Sequence, residues 1–439
     1  MPDPDFSTSR DHVKPNDVVD DYGFLREGAN STPRRPVAPE PMSSKGPSFD
    51  APSAIEATSF SNRAGERDSG LLREMKKRGV DVREVHAETY ERESDHAGWK
   101  HSSVFAQAWG FLSAKSGPHS EDSEPLFAIV ENRLGARLVA GVFDGMGGAG
   151  AATAVGSENT FSEAYRASRI TRREVMMHCL PFVAEALNIG KPSFRATELA
   201  AVISRRLQDV AGTMSPSTSR IRGTLTKSFP TTMACAEVRV SSTSPGVRVE
   251  VRAVWAGDSR VWVLTPAEGL QQISRDDVSI SDPLEQLRQD PPLNNVVSAS
   301  VEFELREHIV SLVGPCVIIC ATDGVCGYVR SPGEVELLVL QALERSERTG
   351  EPFERVLHDI FGSVAKDDSS ATIVAVGFSD AATMSSAFGS RLRQIEARYT
   401  VLDREMDAAE RSTATDAVWV AEAALYSARM PRGGGEAHA

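Results

Sequence analysis

Between Val104 and Phe378 the chain repeats one local pattern, a short run of apolar or alternating residues closed by Gly, Pro, Asp or Ser. The runs are VFAQAWGFLSA, PLFAIVE, ARLVAGVF, TTMACAEVRV, VRVEVRAVWAG, RVWVLT, SVEFELREHIVSL, CVIICAT and ATIVAVGF. Period-two alternation marks a half-buried strand, and a wholly apolar run with turn residues at both ends marks a strand covered on both faces. Helix-length segments lie between them, at Ala149 to about Ser168, Arg172 to about Leu187, Ala196 to about Thr213, Pro332 to about Ser346 and Glu351 to Val364. Consecutive strands joined by hairpin-like turns, with helices grouped between strand sets, predict antiparallel sheets with helices outside rather than a βαβ wind. The expectation is an α+β chain with a β-sandwich core flanked by helices.

The flanks differ from this core. Residues 1 to about 60 hold nine of the 24 prolines, much Ser, Asp and Thr, and few large apolar residues. Such a segment cannot bury enough surface to offset its ordering entropy, so disorder is expected there. Residues 70 to 100 mix charges of both signs and read as linker, which gives a division into a head of 1–100, a domain of 101–380 and a tail of 381–439. In the tail, Phe388, Leu392, Ile395, Tyr399, Leu402, Met406 and Ala409 follow a four-three spacing. That seam fits a helix docked on its own domain, and equally a dimerising or partner-binding coiled coil. Ala417 to Met430 reads as an extension beyond a break at Ser412 to Asp416.

With 439 residues, 41% of them apolar, the chain has material for a sizeable core. Its formal net charge of -13 gives no footprint for nucleic acid. No run has the roughly 18 apolar residues a membrane span needs, and the N-terminus lacks the basic and apolar regions of a signal peptide, so a cytoplasmic location with no membrane partner is expected. The five cysteines sit mostly inside apolar runs, where reduced core thiols are expected.

Chemistry enters with VFDGMGGAGAA, Val142 to Ala152, in which a strand end delivers Asp144 into closely spaced glycines. Alone, an Asp beside Gly at a strand end reads as a turn residue. Three further acid-bearing stretches change that reading: HSEDSEP with Glu121 and Asp122, ATDGV with Asp323, and AKDDSSATIVAV with Asp367 and Asp368. Together they suggest a seat for two hard divalent cations sharing one carboxylate. In this reading Asp144 bridges the ions, the Gly145 carbonyl is an added ligand, Asp323 and Asp367 complete the first ion, Glu121 serves the second, and Asp122 holds coordinated water.

FDGMGG, the TT of FPTTMACAEV, AVWAGDSRVWVL, ATDGV and DDSSATIVAV occur in the order seen in metal-dependent protein phosphatases, and from Val104 to Phe378 the chain resembles the type 2C serine/threonine family, bacterial type. The resemblance implies a four-layer α-β-β-α sandwich, a pair of Mn²⁺ or Mg²⁺ ions between the sheets, and hydrolysis of phosphoserine and phosphothreonine in protein substrates. It assigns catalysis to Asp144, Asp323 and Asp367, the last preferred over Asp368 because Ser370 then takes the place of the family's usual hydroxyl residue. Departures exist. Gly117 stands where the family commonly has a phosphate-gripping Arg, leaving Lys115 and His119 as substitutes, and Met146 stands where eukaryotic members have His. GDSR reads as a hairpin turn braced by Asp258 and Arg260. The stretch ISRDDVSISDPLEQLRQDPPLNNVVSA replaces the family's substrate-facing flap and reads as a mobile specificity loop. Beside an active phosphatase stand two alternatives: a catalytically weak binding or regulatory module, and a hydrolase of small phosphate esters.

Overall fold

The antiparallel sandwich expected from the strand pattern is what the chain forms. A computed structural model describes residues 81–84, 96–115, 119–131, 135–147, 161–185, 195–213, 227–242 and 246–432. The expected disorder of residues 1 to about 60, Gly117, the glycines beyond Gly147 and the start of the helix predicted from Ala149 lie outside the described residues. Sheet one runs β1 (Asp81–Glu84), β4 (Leu126–Glu131), β5 (Gly135–Gly145), β6 (Thr231–Ser242), β7 (Val247–Ala256), β10 (Arg306–Val313). Sheet two runs β2 (His96–Ser102), β3 (Ala106–Ser113), β12 (Ser369–Val376), β11 (Cys316–Ala321), β8 (Arg260–Thr265), β9 (Gly269–Gln272). Every pairing is antiparallel.

Strand periodicity sorts the side chains into three cores. Leu138, Ala140 and Val142 of β5 meet Ile318 and Cys320 of β11 between the sheets, while Val139 and Phe143 face the other way. That outer side of sheet one is covered by α1 (Glu163–Glu185) and α2 (Ala196–Thr213), through Val175, Leu199, Ile203 and Leu207. The outer side of sheet two, with Trp109, Phe111 and Ile319, is covered by α5 (Glu334–Thr349), α6 (Phe353–Val364), α7 (Ala381–Tyr399) and α8 (Ala408–Tyr426). The result is four layers, α-β-β-α. Covered on both faces, β5, β11 and β12 are mostly apolar runs, as central strands must be. All five cysteines are buried and unpaired, and among the described residues no helix is long and apolar enough to cross a membrane.

Two boundaries differ from the sequence reading. Residues 81–84 and 96–100, read as linker, fall in strands β1 and β2 at the sheet margins, where half-polar sequences are tolerated because one strand edge stays unpaired. The tail, read as a segment of its own, lies in the same compact unit as the sandwich. Phe388, Leu392, Ile395, Tyr399 and Leu402 of the predicted seam are buried against sheet two's helical cover, so the docked-helix alternative is the one observed. The seam ends there, with Met406 half-buried and Ala409 exposed. Nor is the chain broken at Ser412 to Asp416, which lies inside α8. The helix break falls just before Asp407, whose side chain and that of Glu410 form a reciprocal capping box.

Candidate active site

Antiparallel topology decides where the acids meet. The C-terminal end of β5 lies beside the start of β6, where Asp144 pairs with Thr232 and Gly145 with Thr231. The end of β7, the start of β8, the end of β11 and the start of β12 lie at the same end of the sandwich, because Ala256 is level with Met233 while Ala321 is level with both Arg260 and Ala371. Asp258 sits in the β7–β8 turn, Asp323 opens the single helical turn α4 (Asp323–Cys326) after β11, and Asp367 and Asp368 immediately precede β12. The loop carrying Glu121 and Asp122 is drawn in by Ser123 N–H, which donates to the Phe143 carbonyl at 3.0 Å.

Crowding of like charges away from water sets the electrostatics. Burial, then the charge of Asp368, pushes Asp122 up to about 8. Burial and the neighbouring Asp122 hold Asp144 well above the usual carboxylate range, and burial with Asp144 does the same to Asp323. Asp258 is pushed up to about 6 by burial and Asp276. Glu121 is raised by burial, partly offset by the Ser162 hydroxyl it accepts. Asp144, Asp258 and Asp323 nonetheless keep partial exposure, so they are reachable from solvent.

The predicted residues divide. Asp144, Asp323, Asp367 and Glu121 share one electrostatic neighbourhood, and Asp122 is inside it rather than at its margin, sharing a carboxyl hydrogen bond with Asp144 and accepting from Thr322 Oγ1 at 2.9 Å. Gly145 packs against the backbone carbonyls of Glu121 and Ala164, where a Cβ would come within 2.5 Å and 2.8 Å of them. Asp368 is buried and serves the backbone, accepting the N–H of Lys115 at 2.8 Å and of Glu121 at 2.6 Å. Asp367 is exposed and bears on the charge of Asp144 and Asp323. Lys115 and His119 are not among the acids. Lys115 Nζ donates to the Gly362 carbonyl at 3.0 Å, near the end of α6, and the His119 ring packs edge-on against Phe161 at 5.1 Å.

The GDSR reading needs a correction. Arg260 does brace the turn, through a buried ion pair with Asp276 at 2.7 Å. Asp258 does not; it belongs to the acid cluster, raising Asp144 and Asp323, and its buried Oδ1 has no hydrogen-bond partner. A short polar turn between strands hides a site acid well, and only the strand order reveals which end it occupies. The replaced flap also differs from the mobile loop expected. It contains α3 (Pro283–Gln289), capped by Asp282, while Asp277 accepts the Gly257 N–H and the Asn295 side chain, and Val297 exchanges two 3.0 Å hydrogen bonds with Thr231.

Oxygen donors alone, with one buried carboxylate oxygen unsatisfied, fit hard divalent cations such as Mg²⁺ or Mn²⁺ in chemical type. Among the described residues, no three acid, His or Cys side chains stand as a closed ligand set.

No family model matches the sequence, and no curated protein does. Solved structures match. The serine/threonine phosphatase Stp1 from Staphylococcus aureus is 17% identical, over 63% of this chain and 97% of that one, with a TM-score of 0.39. The Mycobacterium tuberculosis serine/threonine phosphatase PstP/Ppp is 14% identical, over 62% and 99%, with a TM-score of 0.36. The catalytic domain of PstP, solved with two manganese ions, is 16% identical over 62% and 98%, with a TM-score of 0.38. At identities of 14–17% and TM-scores of 0.36–0.39 these likenesses assign this chain no role, and the chemistry rests on its own residues.

Proposed function

We propose that this chain is a metal-dependent phosphatase of the type 2C kind, hydrolysing phosphoserine and phosphothreonine in proteins. One observation carries the reading: acids from five separate stretches, Glu121–Asp122, Asp144, Asp258, Asp323 and Asp367, gather at one end of a two-sheet sandwich, where burial and neighbouring negative charge raise the proton affinity of Glu121, Asp122, Asp144, Asp258 and Asp323. So much like charge in one place is costly unless cations answer it. Asp144, Asp323, Asp367 and Glu121, with the Gly145 carbonyl, would hold two Mn²⁺ or Mg²⁺ ions, and Asp122 and Asp258 would support them. When bound, such a pair would supply activation of water for attack and neutralise charge on the phosphoryl group.

The chain's own groups set the proton balance. Asp122 and Asp144 share a hydrogen bond, and burial raises both above the ordinary carboxylate range. The pair must release its proton for Asp144 to act as a ligand, which makes metal affinity rise with pH. Asp368, by fixing the N–H groups of Lys115 and Glu121, holds the Glu121–Asp122 loop against the strand end that carries Asp367. The Thr322 hydroxyl, accepting from Ser370 N–H at 2.9 Å and donating to Asp122, ties the Asp323 turn to the same place.

A second reading, a phosphoprotein-binding module with weak turnover, is favoured by Lys115 Nζ being engaged at Gly362 and His119 being held by Phe161. Phosphate release from a phosphothreonine peptide separates the two, compared with p-nitrophenyl phosphate and measured with Mn²⁺, with EDTA and for Asp144→Ala. Peptide turnover lost in both controls supports the phosphatase. Turnover of the small ester alone points to a metabolite hydrolase, and peptide binding without turnover points to the module.

A further inference from the structure

Away from the acid cluster, a cleft of about 1030 Å³ lies where the first turn of α2, the paired strands β7 and β10, residues 275–278 and the end of the described chain meet. None of the site acids lines it. Five arginines do: Arg195, Arg252, Arg275, Arg306 and Arg432. In a chain of net charge -13 this is locally positive ground.

The arginines are not equally available. Arg252 is paired with Glu237 at 3.4 Å and with Glu307, and Arg306 with Asp277 and with Glu304 at 3.4 Å. Asp276, also in the wall, is occupied by Arg260. With Asp276 matched by Arg260, the wall's Arg252 and Arg306 face three acids, Glu307, Asp277 and Glu304, so Arg195, Arg275 and Arg432 stand against one surplus carboxylate. Among the described residues Arg195 reaches only Glu198, at 3.9 Å, with its side chain 80% exposed. Arg432 is exposed at the rim, and the buried Nε of Arg275 has no hydrogen-bond partner. Trp255 Nε1–H donates to the Arg275 carbonyl and fixes the backbone from which that guanidinium extends. The start of the 18-residue helix α2 adds the positive end of its dipole.

We propose that this cleft binds a small polyanion with adjacent phosphate groups, either free pyrophosphate or the diphosphate of a nucleotide. Guanidinium forks match phosphate oxygens, and the cleft is sized for a small molecule rather than a protein surface. Recognition rests on the phosphates, because the aromatic in the wall, Trp255, is 2% exposed and offers no face for a base to stack on. The site does not depend on the phosphatase reading.

Calorimetric titration of the full-length protein with pyrophosphate, ADP and inorganic phosphate tests it, in EDTA so that the acid cluster repels anions. One pyrophosphate is expected to bind per chain, more tightly than phosphate. Arg275→Gln should weaken it about tenfold or more, the loss of one charged hydrogen-bonding partner, with the melting temperature of the unliganded protein unchanged because, among the described residues, the Arg275 side chain forms no ion pair. ADP binding as well as pyrophosphate identifies a nucleotide diphosphate as an admissible source; ADP excluded while pyrophosphate binds identifies the free anion. Absence of pyrophosphate binding, or binding indifferent to Arg275→Gln, overturns the proposal.

Discussion

The carboxylate of Asp368 accepts the backbone N–H of Glu121 at 2.6 Å, across 247 residues of sequence. Its other oxygen accepts the N–H of Lys115. Asp368 therefore ties loops together while also bearing on the charge of Asp122. The sequence preference for Asp367 over Asp368 as the ligand rested on the position of Ser370; Asp367 itself accepts the Asp368 N–H at 2.8 Å, so hydrogen bonding does not choose between them.

Substitution separates the pair. Asp368→Ala removes two charge-assisted acceptors from part-buried backbone donors and should cost about 1–3 kcal/mol of stability, read as a lower urea midpoint. Asp367→Ala, at an exposed position, should leave that midpoint nearly unchanged and abolish Mn²⁺-dependent phosphate release. Equal destabilisation by the two would show that the roles are misassigned.

Gly324 of the TDG turn presents a second test. A Cβ there would stand 1.8 Å from the Asp368 carbonyl oxygen, so the Asp323 turn and the Asp367–Asp368 turn touch backbone to backbone. Gly324→Ala must push them apart, costing about 1–3 kcal/mol and most of the turnover. Gly212, inside α2 with nothing near its Cβ direction, is the control: Gly212→Ala should stabilise by about 0.5–1 kcal/mol. Thermal melts of both variants check the contrast.

These cases show what was readable before any fold was known. Strands such as β5, β11 and β12 announce themselves because burial on both faces leaves no room for polar residues. β1, reading DVRE, and β2, reading HAGWKHS, lie at or near sheet margins, where composition is nearly free, and their strand character comes from pairing with β4 and β3. Asp144 and Asp323 were legible from their glycines. Asp258 was not, because an Asp in a hairpin turn has a sufficient local reason to be there, and its membership in the cluster depends on four strand ends coinciding. The tail seam was visible as a pattern, but a four-three spacing does not say whether the surface it meets belongs to the same chain.

The raised acids predict how stability depends on pH. A carboxyl whose folded value lies above the ordinary 3.8 for aspartate holds its proton more tightly when folded, so its contribution is present at low pH and lost as pH rises through the folded value. For Asp258 that loss runs from about 3.8 to about 6 and for Asp122 from about 3.8 to about 8. In EDTA, the melting temperature should therefore fall as pH rises from about 4 to about 8, within the range these shifts define. Asp144→Asn removes one charge from the cluster and should flatten the fall. Mn²⁺ should reverse it most strongly at the alkaline end, where the ligands have already lost their protons. A melting temperature that climbs over this range in EDTA would contradict the crowding of these acids.

The tail gives the last test. Read from sequence, truncation after about Gly377 leaves the chemistry nearly unchanged; the packing argues otherwise. Phe388, Ile395, Tyr399, Trp419 and Tyr426 are each buried to 5% exposure or less in the core that covers sheet two. Each such side chain contributes about 1.5–3 kcal/mol by leaving water, and five together rival the whole 5–15 kcal/mol or so by which domains are stable. The tail is also joined to the turn region by polar contacts, since the Tyr426 hydroxyl accepts from Trp262 Nε1 and donates to Gln272, each at 2.9 Å, and Gln272 donates to Asp276, the partner of Arg260. Truncation should therefore yield protein that is insoluble or lacks a cooperative melt. Tyr426→Phe keeps the ring and deletes only the hydroxyl, leaving the Trp262 N–H unsatisfied, and should cost about 1–3 kcal/mol with folding retained. A truncated chain that melts cooperatively near the full-length temperature would show that α7 and α8 lie on a core already complete without them.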